Sequence, residues 1–455
     1  MREAKKIKPP IRTPWKGLNV GGKSLFTFAN LSLAFVLLCC AIIGSFEQYE
    51  VYFSLAIVVV AALNWKNDEF YLYIGIFMLF TEQFYLREGT TTAYRIYSYL
   101  LLLRLLKDVY TLRVQPQYIP IMLIFAVFCF VCTGRLSFRV SMMVLCDVIF
   151  VFMTASILHQ KPELMRKFTV VFVLAAICTG LYSLQSKSFI SYEEGIGAQV
   201  TITRYVGTVG DANFAGMYYN VALFMAICSD AFKKWYLRVP AVGALLYFII
   251  LTASQTGLLC FLIGLCVYLV LRYRVPSGVM LSMTIAFGAL LGVVALLNIP
   301  ELRNHPALST LAIRIENSIR ELNRGDVVTL TTGRTALWRV SWEYFTKRPL
   351  LEKLIGGNAV TMLLTKPELL ELMGGAVHQS YVQSLLNFGI LGTVVIFGTF
   401  AGMTIKKFFQ CMRLDESWLP IDMVRCSAMT AFIFMLYAST VDIFMDWRSL
   451  FLFFF

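Results

Sequence analysis

Charge is scarce in this chain. Asp, Glu, Lys and Arg make up only 15% of its 455 residues, against roughly a quarter in soluble domains. With 58% hydrophobic residues and a mean hydropathy of +0.70, that shortage excludes a soluble globular protein. Histidine is scarcer still, at three residues. Period-two alternation is also missing. Continuous apolar runs such as "FVLLCCAIIG" stand instead, so lipid-spanning backbone, which must satisfy its own hydrogen bonds, is expected as helices rather than a barrel. No small-residue cleavage site interrupts the first apolar segments behind Arg2, Lys5, Lys6 and Lys8, so no removable signal peptide is expected. Cysteine is not scarce, at eleven residues, but most lie inside apolar runs, as Cys39 and Cys40 do. No His or Cys partners stand beside them at metal-ligand spacing. They read as small membrane-packing residues, with no metal site and no cofactor expected.

The fold class expected is an all-α polytopic membrane protein. Spans fall at about 25–45, 49–65, 70–86, 93–106, 117–133, 137–158, 166–185, 211–230, 239–254, 257–273, 278–298, 380–403 and 424–443, giving 12–14 transmembrane helices. With the N-terminus inside, the cytoplasmic pieces hold 23 Lys and Arg and the short external segments six, an asymmetry that supports this orientation. The net charge of +13 is therefore mostly topology. Basic residues divided among separate loops do not suggest nucleic-acid binding. The expected organisation is a basic cytoplasmic N-terminus at 1–24, membrane helices at 25–298, an external loop domain at 299–379 and C-terminal membrane helices at 380–455. The large, partly helical external loop lies between the eleventh and twelfth spans and carries ten Lys/Arg and eight Asp/Glu. Its length marks it as functional, and its helical patterning argues against disorder. A smaller external loop, 186–210, opens onto the same face.

Polar residues in these loops carry the functional signal. In "TRYVGTVGDANFAG", Asp211 is a good N-cap for the eighth span, and Asn213 brings polar chemistry into the top of that helix. Arg204 reads either as an interfacial anchor reaching headgroups or as an anion-binding guanidinium. In "TLTTGRTALWRVSWEYFTKRPL", Thr331 or Thr332 can cap a helix with Leu337, Val340 and Tyr344 on one side and Arg334 in its first turn. An arginine at a positive helix end is unfavourable unless an anion is present; the competing reading pairs it with Glu301, Glu316 or a lipid phosphate. His378, in "GGAVHQSYVQSLLNFGILG", can take a proton from a hydroxyl around neutral pH. His159 and His305 read as incidental. Asp147, in "VLCDVIF", is an intramembrane carboxylate that reads as a buried hydrogen-bonding partner or as a functional group.

The many spans, the large late loop, "TTGRTALW" within it and "HQSYVQSLLNFGILG" leaving it resemble the superfamily of O-antigen ligases and Wzy-type polymerases. "RYVGTVGDANFA" is similar to that superfamily's arginine followed by a polar helix start, and "RPLLEKLIGGN" to its proline and paired glycines. The resemblance covers roughly Arg204 to Gly392. It implies a metal-independent, inverting glycosyltransferase in the cytoplasmic membrane of a bacterium, active on the external face. The donor it implies is an undecaprenyl-pyrophosphate-linked oligosaccharide; membrane lipid and proteins of polysaccharide export and chain-length control are further expected partners. In that scheme His378 accepts the acceptor proton, Arg334 holds the departing pyrophosphate, and Arg204, Asp211, Asn213 and Gln255 contribute to substrate binding. One departure stands out. Where ligases commonly carry a second arginine, the turn reads Ser254-Gln255-Thr256-Gly257, and Gln255 brings no charge. A polymerase lengthening a lipid-linked glycan is the expected activity. Its rivals are a ligase passing the finished glycan to another acceptor and a lipid-linked glycan flippase, for which no internal repeats are evident.

Overall fold

A computed structural model describes residues 50–63, 164–184, 187–194, 198–209, 211–273, 276–325, 334–357, 379–412 and 421–440, with isolated positions and short stretches between 67 and 161. The elements run α1 (Glu50–Leu63), β1 (Tyr85–Arg87), β2 (Thr91–Thr92), α2 (Leu164–Ser183), β3 (Lys187–Glu194) and β4 (Ala198–Tyr205). There follow α3 (Ala212–Cys228), α4 (Trp235–Leu251), α5 (Gln255–Tyr273), α6 (Ser277–Asn298), α7 (Pro300–Arg303) and α8 (Ser309–Arg324). The last are α9 (Arg334–Lys347), α10 (Leu350–Ile355), α11 (Ser380–Met412) and α12 (Ile421–Ala438). The chain is an all-α membrane protein with almost no strand. By length and composition, α2, α5, α6 and α11 can each cross a membrane, and α3 and α4 are shorter apolar helices.

Helix α3 is the hub. It is apolar on every side, which for a helix means burial on every side, and Tyr218, Tyr219 and Phe224 are fully enclosed. Phe172 of α2, Phe248 of α4, Cys260 of α5 and Tyr437 of α12 all join its core cluster. Helix α12 runs antiparallel to it. Asn220, mid-way along α3, donates to Tyr437 Oη at 2.8 Å near the end of α12, while Cys228 at the end of α3 lines one pocket with Asp422 and Arg425 at the start of α12. Helix α6 has the opposite character. Met280, Met283 and Phe287 are 73%, 68% and 61% exposed, a surface that suits acyl chains but not water.

Seven of the expected spans correspond to described helices with ends shifted by a few residues: α1, α2, α3, α4, α5, α6 and α12; the span at 70–86 is described only at scattered positions. Those at 25–45, 93–106, 117–133 and 137–158 lie almost wholly outside the described residues, as does Asp147. Helix α11 extends to Met412, past the expected 403, and breaks at Gly389, whose φ of 67° and ψ of −170° are not helical. The large loop is partly helical, holding α7, α8, α9 and α10.

The smaller loop is a β-hairpin, with β3 and β4 antiparallel from Lys187↔Tyr205 to Glu194↔Ala198. Its signal was present. "QVTITRY" alternates Val200, Ile202 and Arg204 with Thr201 and Thr203, a period-two run rich in β-branched residues. Gly195 and Gly197 stand between the two strands.

Candidate functional site

The turn joining α4 to α5 organises one end of the bundle. Thr252, Ala253 and Ser254 are all buried, and Ala253 has φ 47°, the one positive value among the described non-glycine residues. A non-glycine residue in that region is strained and persists only where its surroundings hold it. Two guanidiniums from distant segments do so. Arg204, at the end of β4 and 6% exposed, donates from Nε to the Thr252 carbonyl at 3.0 Å. Arg314, on α8 of the large loop, donates from Nη1 to the next carbonyl, that of Ala253. Consecutive carbonyls of one turn are thus clamped by both loops.

Asn213 completes this cluster. Its Oδ1 accepts from Arg204 Nη2 at 3.2 Å and from Ser254 Oγ at 2.9 Å. Asp211 is the N-cap of α3, as expected, its Oδ1 accepting from the backbone N–H of Asn213 at 2.7 Å and of Phe214 at 2.9 Å. Gln255 is the first residue of α5 rather than part of the turn. Its Nε2 donates to the Arg314 carbonyl at 3.0 Å and to Ser318 Oγ at 2.7 Å, fastening α8 over the helix ends. The apolar side of α8 helps, since Leu311 and Ala312 pack with Leu296 of α6 and Leu258 of α5. A guanidinium from the loop helix, that of Arg314, thus reaches the turn that Gln255 follows.

Arg334 begins α9, whose Leu337 and Phe345 pack on Leu386 of α11. Its Nη1 donates to the carbonyl of Thr440, just past the end of α12, at 3.0 Å. Because α12 is antiparallel to α3, this carbonyl is at the end of the bundle where Asp211 starts α3. Glu316, one of the partners considered for Arg334, pairs instead with Arg303 at 2.7 Å. Thr331, Thr332 and His378 lie outside the described residues. Ser380, two positions after His378 in sequence, starts α11 and is fully buried, and the next residue, Tyr381, donates from its hydroxyl to the Met435 carbonyl of α12 at 3.3 Å. Helix α11 therefore starts at this same end. Arg204, Asp211 and Asn213 are brought together and Gln255 adjoins them; Arg334 shares their end of the bundle, where it is held by the Thr440 carbonyl.

Two arginines were missed by reading the sequence. Arg314 is one. Arg348 is the other, opening "RPLLEKLIGGN" and only 6% exposed. It lies over the Tyr344 ring at 4.7 Å and donates from Nη1 to the Leu386 carbonyl at 2.6 Å, leaving Nε and Nη2 without partners among the described residues. The signal available was weak, an arginine next to a proline, because the partners that explain both residues are backbone carbonyls dozens of positions away. His305 is ordinary, its Nδ1 accepting from the Ala307 N–H at 3.3 Å. No group of His, Cys, Asp and Glu fit to hold a metal occurs among the described residues, and the six described cysteines are free thiols.

The region so assembled, from α4 through the loop helices into α11, coincides with a known sequence family. Residues 240–397 match the family model for O-antigen ligase. The match covers roughly a third of the chain and is consistent with the O-antigen ligase and Wzy superfamily. The O-antigen ligase family implies a glycosyl-transfer enzyme acting on lipid-linked glycans in a membrane. Gln255, Arg314, Arg334, Arg348 and His378 fall inside the matched stretch, and Arg204, Asp211 and Asn213 fall before it. No curated protein matches the chain.

Proposed function

We propose that this protein is a bacterial surface-polysaccharide polymerase, transferring a glycan from an undecaprenyl-pyrophosphate carrier to a sugar hydroxyl at the external face of the cytoplasmic membrane. The observation that carries the reading is the clamp on the Thr252–Ser254 turn, where guanidiniums from both loops meet at the end of the bundle that also holds Arg334. Pyrophosphate is already a good leaving group, so such a site needs placed cations and one base more than it needs a metal. In the proposed reaction His378 accepts the hydroxyl proton as the acceptor oxygen attacks the anomeric carbon. The bond from that carbon to the pyrophosphate oxygen breaks with inversion. Arg334 takes up the charge growing on the leaving group, with Arg204 and Arg314 adding positive potential nearby. Asp211 and Asn213 keep the top of α3 in place, and Gln255 holds α8 over it.

A ligase that passes the finished glycan to another acceptor uses the same chemistry, and the matched family model carries that description. Incubating purified protein with a defined undecaprenyl-pyrophosphate oligosaccharide and sizing the products separates the two. A ladder of lengthened carrier-linked chains supports the polymerase; transfer only to an added lipid, protein or wall acceptor supports the ligase. With either product, His378→Ala should abolish transfer while the protein stays in the membrane at normal levels. Undiminished product from that variant removes His378 as the base.

A further inference from the structure

At the opposite end of the bundle, the ends of α3 and α5 and the starts of α4 and α12 surround a pocket of about 120 Å³. That volume holds several water-sized groups. Its charged lining is Asp230, Lys233, Arg238, Arg272, Asp422 and Arg425, four cations against two carboxylates. The carboxylates are already engaged. Asp422 Oδ1 lies 3.3 Å from Arg425 Nη1 and 3.8 Å from Arg272 Nη1, and Asp230 lies 3.8 Å from Arg166. Among the described residues no carboxylate is within ion-pair distance of Lys233 or Arg238, and Arg238 has only the Ser229 carbonyl, 3.4 Å from Nη2.

Unused donors stand among these cations. Arg425 is 8% exposed, yet its buried Nε has no hydrogen-bond partner among the described residues, and the buried Nε of Arg238 has none either. Donors left this way cost stability unless something accepts from them. Guanidiniums in a half-enclosed pocket match the oxygens of a phosphate group in both charge and fork geometry. Trp235 and Tyr236, in the first turn of α4 between the lining residues Lys233 and Arg238, are 75% and 51% exposed, an aromatic pair of the kind found at the membrane–water boundary.

We propose that this pocket is a phosphate-binding site separate from the candidate active site, taking one phosphate-bearing anion. The adjoining aromatic pair favours the headgroup of an anionic phospholipid over a soluble phosphate, since basic pockets between helix ends at this level suit such headgroups.

The test uses the full chain purified in neutral detergent, with native mass spectrometry after addition of phosphatidylglycerol or phosphatidylcholine, and the thermal unfolding midpoint in rising inorganic phosphate. One phosphatidylglycerol should be retained in preference to phosphatidylcholine, and Arg238→Gln should weaken that retention about fivefold, the effect of removing one cation near a headgroup. A phospholipid adduct that persists in millimolar phosphate assigns the site to lipid. A midpoint raised by phosphate, with loss of the adduct, assigns it to a soluble anion. Lys233→Gln, at the exposed rim, carries the comparison should Arg238→Gln fail to fold. Lack of preference for either anion in the wild-type protein, or a preference that survives both substitutions, overturns the proposal.

Discussion

Arg204 shows how one side chain can look like a surface anchor in sequence and act as an internal brace. Its Nε and Nη2 reach two acceptors on different segments, the Thr252 carbonyl in the α4–α5 turn and Asn213 Oδ1 on α3, and it is almost fully buried. A lysine ammonium cannot present two donors in that fork. Arg204→Lys should therefore lower the stability of the purified protein by about 1–3 kcal/mol, the cost of leaving a buried acceptor unmet, read as a drop in the thermal unfolding midpoint. An unchanged midpoint would mean that the turn is held without it. Asp211 offers a milder case. Removing its cap with Asp211→Ala should cost about 1 kcal/mol, and Asp211→Asn, which keeps the accepting oxygen, should recover most of it. The Asp211 cap was legible because a cap acts over a few neighbouring residues. Arg314 and Arg348 were not, because their importance comes from carbonyls that only the folded chain brings near: Ala253 lies 61 residues from Arg314, and Leu386 lies 38 from Arg348.

Among the elements, the break in α11 has a cause that the sequence shows only in outline. Gly389 has φ 67°, and the chain after α10 turns at Gly356 with φ 90° and ψ 175°. These two glycines lie against each other. A Cβ on Gly389 would come within 2.5 Å of the Gly356 nitrogen and of the Leu354 carbonyl; one on Gly356 would sit 2.1 Å from the Asn387 oxygen. The Gly357 N–H meanwhile donates to the Leu386 carbonyl at 3.2 Å, a bond that the interruption of α11 leaves room for. Backbone of this kind is essentially restricted to glycine, and strain of about 1–3 kcal/mol is expected before any clash is counted. Gly389→Ala should thus undock α10 from α11, seen as faster proteolysis between Pro349 and Gly357 than in the wild-type protein. A cleavage rate equal to wild type would show that the two segments are not interlocked. The paired glycines and the "NFGILG" run were both visible as motifs, but their mutual contact was not, since no local pattern reports which two glycines share a space. The hairpin of β3 and β4 failed for a different reason. Its alternation was readable, but a short polar loop within so apolar a chain draws attention to the helices on either side.

Among the described residues, polar and cationic side chains gather at both ends of the bundle. Arg204, Asn213, Gln255, Arg314 and Arg334 stand at the end where α3, α5 and α11 begin and α4 and α12 finish. Lys233, Arg238, Arg272 and Arg425 stand at the other. Counting basic residues assigns the second group to the cytoplasm, since positive residues are retained on that side during insertion. The donor proposed here carries its sugars outside, so the function and the charge count demand the same orientation from independent premises. Single cysteines in a background without the native ones can test it, using a membrane-impermeant maleimide on intact spheroplasts. Arg339 on α9 has a side chain 83% exposed, so Arg339→Cys should react readily from outside. Lys233→Cys, also at an exposed position, should react only after the membrane is permeabilised. Reversed labelling would put the clamped turn on the side where the lipid-linked glycan is not presented. The polymerase proposal would then fall even with every contact around Arg204 intact, because the reaction depends on which compartment those guanidiniums face as much as on their geometry.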